Sequence, residues 1–286
     1  MEEIGRVREI WRYPVKSMAG ESLQHSLLTN LGIAGDRGWA LRDDDAGEIR
    51  GAKKMPDLMK CRAAYIEEPA PGRIPDADIT LPDGEHIRAT DSSVNRKLSE
   101  LLRRRVTIWP IQPPDSHDFY RRRPDNPDFT AELREIFGRT DDEPLPELRT
   151  FPREIFKFTS PLGTYFDAFP LHLITTASLD ELRRLNPAAR FDVRRFRPNI
   201  LLDSSDTVRG FAETGWSART LTIGEAQIKF EMPCPRCVMT TLPQDDLPKD
   251  PSVLRTIVRD AAQNVGMYAS VVSPGKIAVG DRVALD

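Results

Sequence analysis

Leu221-Thr222-Ile223-Gly224-Glu225-Ala226-Gln227-Ile228-Lys229-Phe230 sets two short apolar runs on either side of a Gly-Glu pair. A glycine turn between two such runs predicts a β-hairpin. The same grammar recurs upstream. Ile79-Thr80-Leu81 and Glu85-His86-Ile87 flank Pro82-Asp83-Gly84, a second hairpin around an Asp-Gly turn. Further strands are predicted at Trp39-Ala40-Leu41, Cys61 to Ile66, Val106 to Trp109, Leu171 to Ile174, Asn199 to Leu202, Met267 to Val272 and Ile277 to Leu285, the last carrying a Gly280-Asp281 turn. Helical spacing is confined to about three places. Val94, Leu98, Leu101 and Leu102 follow Asp91 and Ser92 as caps. Ser178-Leu179-Asp180-Glu181 matches a capping box for a helix through Leu185, and Leu254, Ile257, Val258 and Ala261 mark a third. The expected fold is therefore mainly β with peripheral helices, of the α+β kind.

Composition agrees. With 24 prolines in 286 residues, long helices are disfavoured. A formal net charge of -3 gives no general cationic field, which excludes the usual nucleic-acid binder. No run approaches the roughly 18 apolar residues of a membrane span, and Met1-Glu2-Glu3 opens no leader-like segment. Cys61, Cys234 and Cys237 make no disulfide framework. These features lead to the expectation of a cytoplasmic protein without a membrane or nucleic-acid partner. Composition also divides the chain. Residues 1–111 are strand-rich. Residues 112–154 are charged and proline-broken, with Pro113-Pro114, Arg121-Arg122-Arg123-Pro124 and Asp141-Asp142-Glu143-Pro144, and read as a linker or surface insertion with a short helix near Ala131 to Phe137. Residues 155–286 form the second structured region.

The hairpin runs on into Pro233-Cys234-Pro235-Arg236-Cys237. Two cysteines three apart suit a metal, a redox dithiol, or one thiolate beside a cation. Four-thiolate zinc or iron–sulfur sites need more cysteines than the chain has, and its four histidines stand at no motif spacing to these two. Val238 to Pro243 reads as extended, unlike the helix that follows a thioredoxin-type pair. One special thiolate or two buried small hydrophobes remain, with Arg236 placed to favour the anionic form of a neighbouring cysteine. Lys16, Arg37 beside two glycines, and the Arg194, Arg195 and Arg197 cluster are candidates for contacting an anionic ligand, or for ordinary salt bridges with Asp36 and Asp192.

Taken in order, these pieces resemble the MOSC family, named for the C-terminal domain of molybdenum cofactor sulfurase, and in particular its two-domain members. Tyr13-Pro14-Val15-Lys16-Ser17 with Gly35-Asp36-Arg37 is similar to the MOSC N-terminal β-barrel. Phe196-Arg197-Pro198-Asn199, Arg236-Cys237 with Thr240-Thr241, and Gly275 to Asp281 are similar to motifs of the MOSC domain. The resemblance implies a MOSC β-barrel-like domain preceded by a MOSC-associated β-barrel. It implies a molybdenum cofactor (molybdopterin with Mo), ligated by the thiolate of Cys237 as the catalytic and metal-binding residue. Lys16, Arg37, Arg197 and Asn199 would hold the pterin and its phosphate, with Ser178 and Arg236 in cofactor-facing segments. The implied reaction is reduction of N-hydroxylated small molecules such as amidoximes. Neither an intrinsic iron–sulfur cluster nor pyridoxal phosphate is expected. Electrons would come from an external ferredoxin, flavodoxin or cytochrome-type protein and its reductase. Non-catalytic carriage of the cofactor or of sulfur, or an interaction role for a MOSC-like fold, is the alternative. Two departures stand out: Met18 follows Lys16-Ser17 where reductase relatives can carry cysteine, and Leu242-Pro243-Gln244-Asp245-Asp246 replaces an Asp-Pro-x-Thr-Gly turn.

Overall fold

In the computed structural model, which describes residues 2–70, 72–123 and 128–286, the 221–230 hairpin forms as expected. Thr220–Ile223 pairs antiparallel with Ala226–Pro235, turning through Gly224 at φ +52°. That hairpin is one segment of a closed barrel. Among the described residues seven strands join in the order Ile200–Ser204, Leu171–Thr175, Asn264–Ser273, Ala226–Pro235, Thr220–Ile223, Arg282–Leu285 and Glu2–Arg12, and the last pairs back to the first. Only Leu171–Thr175 and Ile200–Ser204 run parallel. Closure leaves no free edge, and the inward positions fill the interior. Ile4, Val7 and Ile10 from the first strand pack there with Leu173, Leu221, Phe230 and Val283, each such side chain contributing about 1.5–3 kcal/mol through burial.

The first strand crosses between the two regions. By pairing, Glu2–Arg12 belongs with the C-terminal half, and His25–Thr29 pairs with Gly275–Ala278. The exchange is mutual. Met239 and Leu242 pack into the core of the N-terminal half with Trp39, Leu58 and Leu98. That half is built from Trp39–Asp43 against Val106–Pro110, the Ala77–Thr80 and His86–Arg88 hairpin beside Arg62–Tyr65, and the helix Val94–Leu102. The two halves are thus interleaved, and a cleft lies where they meet.

Local chemistry shifts several expected boundaries. The helix expected from Ser178 spans Thr176–Leu185, and its cap is Thr175, whose hydroxyl accepts from the Ser178 N–H at 3.1 Å. Ser93, not Asp91 or Ser92, precedes the first helix; Asp91 instead accepts from the Ser93 N–H and hydroxyl just ahead of it. Residues after Cys237 are not extended, since Val238–Thr241 forms a single 3-10 turn. The 112–154 segment holds a helix at Phe129–Phe137, capped by the Asp128 carboxylate and ended at Gly138 with φ +60°. The short helix expected near Ala131 to Phe137 walls the cleft. Of its arginine run, Arg121 pairs with Asp118 and Arg122 donates to the Ile155 carbonyl, while Pro124 lies outside the described residues. Among the described residues no helix is long and apolar enough to cross a membrane.

Candidate functional site

The strand Ala226–Pro235 carries Cys234 to the cleft, and Cys237 follows as the residue preceding the 3-10 turn. Cys234 is buried and Cys237 partly exposed. The backbone is extended at Cys237 (φ -116°, ψ -179°), and in extended chain successive side chains face opposite ways while alternate ones share a side. Arg236 therefore meets Cys234. Its Nη1 donates to the Cys234 Sγ at 2.9 Å and its Nη2 to the Phe196 carbonyl at 2.7 Å. The cation–cysteine contact foreseen in the sequence thus forms on the buried thiol. Burial pushes that thiol up, with Arg236 opposing. Cys237 stays open to the cleft, where Lys53, Arg139 and Arg236 are all near enough to act on it electrostatically. Among the described residues no three His, Cys, Asp or Glu side chains are grouped so as to hold a metal ion, so a metal at Cys237 would have to arrive with ligands of its own.

Three cations reach the same cleft from distant segments. Arg197 is 8% exposed, with its guanidinium 4.1 Å from the centre of the Tyr13 ring. Its Nη1 donates to the Met18 carbonyl at 2.7 Å, and its Nη2 is buried without a partner among the described residues, as is the Nε of Arg236. Burial pushes Arg197 down to about 10. Arg37 sits on Asp36, a carboxylate also fixed by the Tyr13 N–H at 2.8 Å and the Asn199 amide at 3.0 Å. Lys16 donates to the Tyr165 carbonyl and to Asp167, both at 2.7 Å. Burial alone would raise Asp167, yet Lys16 and Lys53 hold it well below the usual carboxylate range. Ser17, Arg37 and Arg197 all adopt positive φ (+71°, +53° and +53°). Each such backbone costs about 1–3 kcal/mol, a strain that clusters at functional sites.

The structure thus brings Lys16, Arg37, Arg197, Asn199, Arg236 and Cys237 to one inner chamber of about 80 Å³. Asn199 acts there through others: its Oδ1 accepts from the His172 N–H at 3.1 Å and its Nδ2 holds Asp36, so it positions Arg37. Ser178 is not brought in. It is fully buried under its helix, donating to Glu213 and, at 3.3 Å, to the Gly210 carbonyl. Asp167, Lys53, His172 and Tyr268 were not singled out in the sequence. His172 did leave a signal, a lone histidine in the apolar run Leu171 to Ile174. It meets Arg236 at 3.3 Å, and burial with that charge keeps it well below its usual range and therefore neutral. Cys237, Met239, Tyr268, Lys16 and Asp167 also line an outer chamber of about 170 Å³, so the two form one continuous cleft, whose outer part adds an apolar wall from Phe129 to Phe156 beside Lys53, Lys54 and Arg122.

A closed β-barrel with an N-terminal companion and a cationic cleft at their junction defines the class. A family model for the MOSC domain matches residues 163–284, and one for the MOSC N-terminal β-barrel domain matches residues 4–99. The chain is a two-domain MOSC protein, mainly β as expected. It is 28% identical to mitochondrial amidoxime reducing component 2 of Rattus norvegicus, over 99% of this chain and 84% of that one. It is 25% identical to mitochondrial amidoxime-reducing component 1 of Homo sapiens, over 100% of this chain and 84% of that one. Molybdenum cofactor sulfurase of Solanum lycopersicum is 26% identical over 80% of this chain but only 28% of its own length.

Proposed function

We propose that this protein binds a molybdenum–pterin cofactor in the inner chamber and reduces N-hydroxylated small molecules beside Cys237. The supporting observation is the pair of buried guanidinium nitrogens, Arg197 Nη2 and Arg236 Nε, left without protein partners on residues that line one small chamber. Buried donors of that kind are rarely left unmet, and two guanidiniums suit the oxygens of a phosphate. The residues present therefore fit the anionic end of such a cofactor.

Arg197 and Arg236 would hold that anionic end, with Arg37 set on Asp36 beside them. Lys16 is braced by Asp167 and adds a point charge. The Cys237 thiolate, partly exposed at the junction of the chambers, is the soft ligand the chain offers to the metal. When bound, the cofactor supplies two-electron oxygen-atom transfer. The protein orients the substrate in the outer chamber and screens it from water with the Phe129–Phe137 helix. Neutral His172 fixes Arg236 without competing for the anion. Electrons come from an external electron-transfer protein and its reductase. Protein purified without added metal is expected to contain molybdenum and pterin and to reduce benzamidoxime with a chemical donor. Molybdenum without reduction would support carriage instead, and absence of both overturns the proposal.

A further inference from the structure

Arg139 is a buried cation near Cys237 that the proposed cofactor contacts leave unused. It follows Gly138, the residue that ends the Phe129–Phe137 helix, and is 6% exposed. Each of its three guanidinium nitrogens donates to a neutral oxygen. Nε reaches Gln263 Oε1 at 3.2 Å, Nη1 the Phe137 carbonyl, and Nη2 the Arg236 carbonyl at 3.0 Å. Burial pushes the group down to about 10. A buried charge held by neutral oxygens alone is costly, and the negative groups that act on Arg139 from further off are Glu143 and Cys237.

The Arg236 carbonyl belongs to the peptide that leads into Cys237, so its bond to Arg139 sets the plane of that peptide. Residue 236 is held at its other end too, because its N–H donates to the Gln263 carbonyl at 2.9 Å. Ala262 and Gln263 both adopt positive φ (+46° and +70°), and Arg139 braces that turn through the Gln263 side chain. On the far side the Cys237 carbonyl accepts from the Thr240 N–H at 3.2 Å. An added Cβ on Gly138 would lie 3.3 Å from the Val238 Cβ. The loop after the helix thus meets the residues on both sides of Cys237. A separate anchor holds the loop itself, since Arg255 donates to the Gly138 carbonyl and pairs with Glu143.

We propose that Arg139 is a positioning residue for Cys237, fixing through the Arg236 carbonyl the peptide that aims the sulfur into the junction of the two chambers. As a statement about catalysis the inference rests on the proposed reduction; as a statement about the Cys237 backbone it does not. Two variants separate positioning from anchorage. Arg139→Met removes the bond to the Arg236 carbonyl, whereas Arg255→Met loosens the same loop without touching residues 236 and 237. The full chain is produced in cells unable to make molybdopterin, and amide hydrogen exchange is followed across residues 236–242. Exchange there is expected to quicken about tenfold or more in Arg139→Met, the worth of one hydrogen bond from a charged donor, and to stay near wild type in Arg255→Met. In cofactor-loaded protein Arg139→Met should lower kcat for benzamidoxime about tenfold with KM and pterin content unchanged. Unchanged exchange in Arg139→Met, or equal quickening in both variants, overturns the proposal. A raised KM or lost pterin at wild-type kcat does so too, making Arg139 an anchor of the chamber wall. If Arg139→Met does not fold, Arg139→Lys decides: its single ammonium cannot span three oxygens, so exchange at 236–242 should still quicken, and wild-type exchange overturns the proposal. Protein lacking molybdenum but showing the Arg139 dependence of exchange would remove the reductase reading and keep this one. Cys237-dependent reduction with unchanged exchange in Arg139→Met would do the reverse.

Discussion

Replacing Arg197 with methionine removes a buried cation while keeping a side chain of similar reach, and the structure sets the scale of the result. Burial pushes the guanidinium down to about 10 from an ordinary 12.5, equivalent to about 3 kcal/mol against the charged form. That cost disappears in Arg197→Met. The Met18 carbonyl loses its donor, a penalty of about 1–3 kcal/mol, and the Tyr13 ring loses a stacked cation, about 1–2 kcal/mol. The opposing contributions nearly cancel. A residual of about 1 kcal/mol would move Tm by about 2–4 °C in a chain of this size. Anion holding has no such compensation, because the unpartnered Nη2 is deleted outright. Cofactor retention should fall about tenfold or more, the worth of one charge-assisted contact. Calorimetry of cofactor-free protein and fluorescence of the released, oxidised pterin measure the two quantities. A Tm lower by ten degrees or more with unchanged pterin content would make Arg197 a structural residue and refute the reasoning.

Cys237→Ser should keep the fold, as the side chain is partly exposed and packs only at the edge of the N-terminal core, and should abolish benzamidoxime reduction; activity near wild type would exclude the thiolate. Ser178→Ala should destabilise by about 1–3 kcal/mol, because it strips a donor from buried Glu213, yet leave pterin content unchanged in the purified folded protein. Gly266→Ala should unfold or nearly unfold the protein: φ is +78°, and an added Cβ would lie 2.4 Å from His172 Nε2 and 2.5 Å from the Leu173 carbonyl oxygen. His172 is held neutral, with its folded pKa well below its unfolded one. Below about pH 6.5 the unfolded chain takes up a proton that the folded chain refuses, so stability falls as pH drops. The slope should approach about 1.4 kcal/mol per pH unit and flatten in His172→Gln, which chemical denaturation between pH 7 and pH 5 would show.

The strands were legible because turn residues mark them. Gly224, Gly84 and Gly280 all adopt the positive φ their turns require. What the sequence did not show was partnership. Nothing local in Glu2–Arg12 says that it closes a barrel with Ile200–Ser204 and Arg282–Leu285, since pairing across such separations is set by the whole apolar interior. The 112–154 segment read as a linker or surface insertion with a short helix, and its part in the cleft stayed hidden because the apolar face of Leu133, Ile136 and Phe137 follows a helical period over little more than two turns. Arg197 and Arg37 stood out as candidate anion contacts, but among 41 lysines and arginines only the resemblance tied them to a cofactor. Their positive φ is a tertiary outcome that arginine itself does not favour. Sequence placed Arg236 near two cysteines without choosing between them; neighbours in an extended chain face apart, so the contact falls on Cys234 and not on Cys237.

X-ray absorption at the molybdenum edge on wild type and Cys237→Ser, purified in parallel, tests the central claim most directly. The account predicts molybdenum in the wild type with a sulfur shell that loses one scatterer in the variant. An identical sulfur shell in both proteins, or a wild type carrying no molybdenum, would contradict it.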